Sequence, residues 1–464
     1  MKSLKVISAS LLALAIAGSA FAANTNLKMT GSTALRKATY AAIVRTLSAG
    51  GHTVRVVSCD PNFNNKAPDG AQQAVFVNDA DDSVQMCLSG SVGGIETVVT
   101  GSDAATAIVT LGGDTSRAWL TAKSYASISS GAVIWPTVTV NAAGAFTYGA
   151  ATGASVNVNS VAGNLGQQSS LAAYGSAGTP FDANSTCSAG ASDSFQNSTA
   201  FDSVTWGSTL TDTPIGTIAF AFCKGAQHPS VSAASYGRLT NISTQNAQAL
   251  ANKGYVDLAV ITGNSADAGI DVVLVGRNSD SGTRLGVFAE TAIGAVTAGA
   301  SQYYPVDANG ADASQSTSLL TNHHFVPVAN NQSGYDSGAF VKQTLTNPIA
   351  ASGAYGPGGT TSGAGVHPFI EVAYVGAGDL AGVTLTYNGV ALSQANIISG
   401  TYTLWTTGHI LYDPAAIPVG AVRTMITSIA SNITASNSNG NYVNVGGLNC
   451  HRTGTEGSTV LPGL

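Results

Sequence analysis

The sequence predicts an α/β fold of two lobes, and three observations carry that expectation. Residues 271–292 read as a strand, a Ser/Gly/Thr loop and a helix. Residues 26–47 repeat the same arrangement. Residues 90–99 hold a third Ser/Gly loop. In open α/β sheets such loops gather outside the carboxyl ends of the strands, so segments far apart in sequence can converge there. The 271–292 unit interrupts the loops of the first lobe, with sheet-like strands on either side. That predicts two crossings between lobes, near 215–220 and near 365–370.

The 271–292 unit is the clearest. Residues 272–275 are apolar and mostly β-branched, as in a fully buried strand. Residues 276–283 are small and polar, which marks a turn. Leu285, Phe288, Ala289 and Ala292 then follow a helical stripe. A helix start presents unpaired N–H groups and the positive end of the helix dipole. Ser281 and Thr283 add hydroxyls, Gly282 lets a ligand approach the backbone, and Arg277 adds a cationic fork. An oxyanion needs these groups. An ordinary capped helix after a turn uses the same residue types.

The first 22 residues have the pattern of an export signal. Lys2 and Lys5 precede an apolar run, and Ala20-Phe21-Ala22 suits cleavage. An exported chain with a periplasmic or extracellular location is expected. No later run reaches the roughly 18–20 apolar residues of a membrane span. Removing Lys2 and Lys5 takes the net charge from −6 to −8. Only 9% of residues are charged, far below the roughly 25% of an average protein, so hydroxyls and amides must solvate the surface. With no basic face, a nucleic-acid partner is not expected.

In chain order, residues 26–29 read as a strand and 34–47 as a helix ended by Gly50-Gly51. Residues 52–58 read as a strand and 60–82 as a polar loop. Residues 123 and 182 bracket a stretch without charge. Within it, 133–140 and 145–148 flank Asn141-Ala142-Ala143-Gly144 as a β-hairpin. We read about 104–185 as a β-rich insertion in the first lobe. Residues 214–222 and 369–375 read as strands and 241–252 as a helix closed by Gly254. Residues 397–405 and 409–412 read as extended, and Val422, Ile426, Ile429 and Ile433 mark a last helix.

The five cysteines have no metal-site spacing. Cys59 and Cys87 bracket one loop and are the expected disulfide. His323, His324, His367, His409 and His451 are scattered, and G-x-S-x-G, H-E-x-x-H and P-loop patterns are absent. Neither an enzyme nor a metal or cofactor site is expected.

Four segments in order resemble the phosphate-binding protein of bacterial phosphate ABC transporters, a family of type II periplasmic binding proteins. They are Gly31-Ser32-Thr33-Ala34, the loop 90–95, Ser192-Asp193, and 277–283, which is similar to the family's R-x-D-G-S-G-T. Residues 398–405 are similar to a late I-x-G-x-Y-P-L segment. The resemblance covers most of the chain after the signal, except 60–82 and about 104–185. It implies a two-lobed type II periplasmic binding protein fold that captures phosphate or a similar tetrahedral oxyanion between lobes and delivers it to an ABC transporter permease. It implies that Thr33, the Ala34 amide, Ser91 and Asp193 come from one lobe, and Arg277, Ser281, the Gly282 amide and Thr283 from the other. It divides the chain into 23–217, 218–367 and a return segment 368–464. Two departures stand out. Ala34 replaces a larger residue, and the Asp that steadies the family's Arg is Ser279 here, with Asp280 one place later. Arg36 and Arg284 are extra cations, expected on helix surfaces. The alternative is a secreted or surface structural or adhesive protein with a vestigial site.

Overall fold

A computed structural model describes residues 25–59, 71, 73–80, 82–88, 91, 137–149, 171–175, 185–188, 195–196, 201–204, 210–278, 281–293, 300–306, 324–327, 334–335, 337–347, 349, 356–358, 367–415, 417, 419–434, 443, 445–453 and 458–463. The export signal lies outside them. The fold is mixed α/β and two-lobed, as the sequence predicts.

The first lobe begins with β1 (Asn26–Gly31), buried along its whole length. A 3-10 turn at Thr33–Leu35 leads into α1 (Arg36–Leu47). Ten of the twelve α1 residues are buried, so this weakly amphipathic helix is held by packing on several sides rather than on one stripe. Tyr40 meets Phe76 edge-on with ring centroids 5.2 Å apart, worth about 1 kcal/mol beyond area burial. Gly50 stops the chain turn with φ of 80°, and β2 (Val54–Cys59) follows. Next come β3 (Gln73–Asn78) and β4 (Ser83–Cys87). β2, β3 and β4 form an antiparallel meander, and β4 lies parallel to β1.

This meander corrects two expectations. β3 occupies part of the stretch read as a polar loop. Cys59 and Cys87 also both stand opposite Gln73, on either side of it. Two strand spacings, roughly 9–10 Å, exceed the 4.4–6.8 Å or so that a disulfide spans between Cα atoms. Cys223 and Cys450 are buried free thiols.

The expected hairpin forms as β5 (Val138–Val140) and β6 (Phe146–Tyr148), with Val138 opposite Tyr148. Arg45 of α1 donates to Asn141 O at 2.9 Å and ties the hairpin tip to the helix. The stretch read as an insertion also contains β7 (Leu171–Gly175), which is a member of the main sheet between β1 and a later strand. The sequence hides it because LAAYG has no β-branched residue. β8 (Phe195–Gln196) follows.

The lobes are joined by β9 (Thr211–Lys224), a strand of 14 residues. Its first part, Thr211 to Ala219, pairs with Trp405–Tyr412, and its second part, Phe220 to Lys224, pairs with residues 372–376. The second lobe contributes α2 (Thr244–Lys253), closed by Gly254 in the left-handed region at φ 83°, then β10 (Tyr255–Asp257) and β11 (Asp271–Val275). α3 (Gly282–Glu290), β12 (Gly334–Tyr335) and α4 (Gly338–Thr346) follow. β13 (Phe369–Gly376) lies parallel to β11. β13 therefore lies with the second lobe's strands and β14 (Trp405–Tyr412) with the first lobe's, and β9 between them links the two into one continuous sheet of eleven strands. Part of the segment read as extended at 397–405 is instead the end of a short helix, Gln394–Ile398. The last helix, α5 (Ala421–Thr434), packs on α1, with Asn432 donating to Thr46 Oγ1 at 3.0 Å.

Leu27, Tyr40, Phe220, Leu274, Tyr374 and Trp405 belong to one continuous apolar core. The lobes thus meet through packed side chains around β9. A second cluster, with Cys223, Val275, Phe325, Tyr335 and Phe369, backs the other face of the second sheet. Among the described residues no helix is long and apolar enough to cross a membrane.

Candidate functional site

The site is built where parallel strands end. β1 and β4 run parallel with Thr30 opposite Cys87, so the loops leading to Thr33 and to Ser91 leave the same edge of the first sheet. β11 and β13 run parallel with Val275 opposite Ala373. Their loops leave one edge of the second sheet. A Cβ placed on Gly376, at the end of β13, would lie 2.8 Å from the Ala34 Cβ. The two edges are therefore in contact, and only glycine permits so close an approach there.

The Arg277 segment is fixed at its backbone. Arg277 N donates to Tyr374 Oη at 3.0 Å, while Arg277 O accepts from Gln302 Nε2 at 3.1 Å and from Arg284 Nη1 at 3.0 Å. Tyr374 in turn donates to Gln302 Oε1 at 2.5 Å. Burial pushes the Tyr374 phenol up, opposed by the charges of Arg284 and Arg277, so it stays a neutral donor. A Cβ on Gly276 would lie 1.8 Å from Gln302 Oε1, so this position needs glycine for the network to close. Arg277 Nε donates to Tyr335 O at 3.0 Å. That bond restrains the arginine. Ser279 and Asp280 lie outside the described residues.

Arg277, Arg284 and Arg36 are 2%, 1% and 4% exposed. Arg36 and Arg284 are thus buried, not surface helix arginines. Arg284 also lies over the Phe288 ring, 4.9 Å from its centroid. Arg36 of α1 donates from Nη2 to Asp379 Oδ1 at 3.2 Å, both side chains nearly inaccessible. Asp379 follows β13, and its carboxylate also lies against Gly338 at the start of α4, where the helix dipole favours a negative charge. This ion pair links the first lobe to the second.

The start of α3 offers donors. Ser281 is its N-cap and accepts from Arg284 N at 3.3 Å, which leaves its own hydroxyl proton unclaimed. Among the described residues, the Gly282 and Thr283 amides and the Thr283 hydroxyl have no partner. Four N–H or O–H donors therefore collect at one helix end beside a buried arginine.

The first-lobe residues are less uniform. Ala34 is buried, and its amide donates to Ser32 Oγ at 3.2 Å. The structure describes the backbone of Thr33, within the 3-10 turn. Ser91 is buried. Asp193 lies outside the described residues, but β8 begins two residues later. Phe195 of β8 pairs with Tyr335 of β12, and Tyr335 bridges to Arg277.

Sequence reasoning missed Tyr374, Gln302, Tyr335 and Asp379. None has a local signal, because each acts through a partner distant in sequence. Among the described residues no His, Cys, Asp and Glu group could hold a metal ion.

No family model and no curated protein matches the chain. Solved structures similar in shape include a protein from Clostridium perfringens assigned as a phosphate ABC transporter substrate-binding protein with bound phosphate. It is 10% identical with a TM-score of 0.39, covering 91% of this chain and all of that one. An ABC-type phosphate transport receptor from Vibrio cholerae is 10% identical with a TM-score of 0.38, covering 87% and 93%. PstS from Borrelia burgdorferi is 10% identical with a TM-score of 0.30, covering 90% and 98%. At this identity and these TM-scores the likeness does not decide what this chain binds.

Proposed function

We propose that this chain is an exported solute-binding protein that captures phosphate or a similar tetrahedral oxyanion between its lobes, and not an enzyme. The observation that carries this reading is the start of α3. There the Gly282 and Thr283 amides and the Ser281 and Thr283 hydroxyls are unclaimed among the described residues, beside buried Arg277. Amides at a helix start favour an anion, and a guanidinium fork matches two of its oxygens. Thr33, Ala34, Ser91 and Asp193 complete the site from the first lobe. The Ala34 amide would exchange its bond to Ser32 Oγ for one to the ligand. The crossing at Ala219 and Phe220 of β9 is the hinge, close to the 217/218 boundary. The return follows at β14.

Asp193 supplies selectivity. Phosphate near neutral pH still carries a proton, which a carboxylate accepts. Sulfate carries none and would face an unpaired repulsion. Export places the protein in the periplasm or outside the cell, with an ABC transporter permease as its partner. Calorimetry on Asp193→Asn tests the role. The variant replaces an acceptor by a group that can also donate, so it should lose selectivity for phosphate over sulfate and keep some phosphate binding. An unchanged ratio in a phosphate-binding protein rejects the role.

A further inference from the structure

Asn278 stands between Arg277 and the N-cap of α3. It is 1% exposed, and neither Oδ1 nor Nδ2 has a hydrogen-bond partner among the described residues. Its backbone is committed. N donates to Tyr335 O at 3.1 Å, and O accepts from Ser281 N at 3.2 Å. The same turn therefore fixes Asn278 and delivers Ser281, whose hydroxyl proton is unclaimed. A carboxamide buried with both ends unpaired is costly, because it has given up water on two donors and one acceptor. An apolar residue of the same shape would remove that cost. Retaining Asn there is explained if a ligand group takes up both ends.

We propose that the Asn278 carboxamide is a further contact of the bound anion and a determinant of its protonation state. Nδ2 donates to an unprotonated oxygen and Oδ1 accepts the proton of a hydroxyl on the same anion. This inference rests on the oxyanion reading of the α3 start. It adds to that reading a neutral donor and acceptor pair, which the position between Arg277 and Ser281 supplies without further charge. A tetrahedral anion with two hydroxyls, as in dihydrogen phosphate, gives one proton to Asp193 and the other to Oδ1, while an unprotonated oxygen accepts from Nδ2. A fully ionised one leaves Oδ1 facing an oxygen.

The test is calorimetry with inorganic phosphate and sulfate on the unaltered chain, Asn278→Leu and Asn278→Ala, with thermal unfolding of each ligand-free protein. Asn278→Leu is expected to unfold at the same or a higher temperature and to bind phosphate about tenfold or more weakly. Its phosphate-to-sulfate ratio should fall, because the acceptor is lost. Asn278→Ala should show the same loss of affinity, which keeps the test valid if the leucine is not accommodated. If the unaltered chain binds phosphate and both variants keep its affinity, the proposal is overturned and the oxyanion reading stands. If the unaltered chain binds neither anion, both are overturned.

Discussion

Two strand, loop and helix units of nearly the same sequence pattern end up with different work. At 271–292 the helix starts with a serine cap, and its first amides have no partner among the described residues. At 26–47 the helix is preceded by a 3-10 turn, its capping position is Leu35 without a side-chain bond, and the Ala34 amide donates to Ser32 Oγ. The second lobe's unit leaves its donors open. The first lobe's unit spends Ala34 on contact with Gly376 and Arg36 on an ion pair with Asp379. A Gly/Ser/Thr loop thus does not by itself make an anion site. What packs against it decides whether its donors stay available.

If that contrast is right, the first unit should fail through stability and the second through binding. Asp379→Ala leaves Arg36 buried without this carboxylate and should cost about 3–5 kcal/mol, measured by denaturant unfolding. A cost near zero would mean that the pair does not hold the lobes together. Arg277→Ala should weaken all tetrahedral anions together by about 2–5 kcal/mol if the site is desolvated, measured by calorimetry. If affinity is untouched, the second unit is only structural and the surface-protein alternative is preferred.

The second lobe also carries a carboxylate whose effect is pH-dependent. Glu371 of β13 is fully buried and accepts from Thr344 Oγ1 at 2.5 Å, and burial raises its pKa from 4.5 to about 7. A raised acid pKa means that the folded state favours the protonated form. Stability from this group is full below about pH 4.5 and is lost as pH rises through about 7, by about 3 kcal/mol. Glu371→Gln should flatten the stability profile across that window. An unchanged profile would show that the carboxyl is solvated. Glu371 stands mid-strand opposite Val273 and not in a loop of the candidate site, so this pH dependence should appear in unfolding and not in anion affinity.

Gly376→Val should place methyl groups where the Ala34 Cβ sits. Overpacking of this kind costs about 1–3 kcal/mol. It should also hold the lobe edges apart and lower anion affinity, while a far smaller effect would mean the edges are loosely apposed. Ser281→Ala removes the cap of α3 and should cost about 1 kcal/mol of stability, with an added loss of anion affinity seen by calorimetry. Equal affinity would assign Ser281 to capping alone.

The sequence made the local units legible because each is set by neighbours. The apolar run 272–275 forms β11, Gly50 and Gly254 end helices, and Ser281 caps α3. It did not reveal β3, whose apolar centre at 74–77 is framed by polar residues, or β7, whose sheet membership comes from pairing with β1 and β14. The burial of Arg36 was illegible because its partner lies 343 positions away. Tyr374 reads as an ordinary core aromatic until its hydroxyl is seen against Arg277 N. Of the candidate site, the Ser281 cap and the helix it opens could be read directly. The groups that hold Arg277 in place could not.

The central claim is that the second unit binds a tetrahedral anion. Calorimetric titration of the unaltered protein with phosphate, sulfate and arsenate tests it most directly. The account predicts saturable binding of one phosphate per chain, with arsenate close behind and sulfate much weaker. No heat with any of the three anions would contradict it.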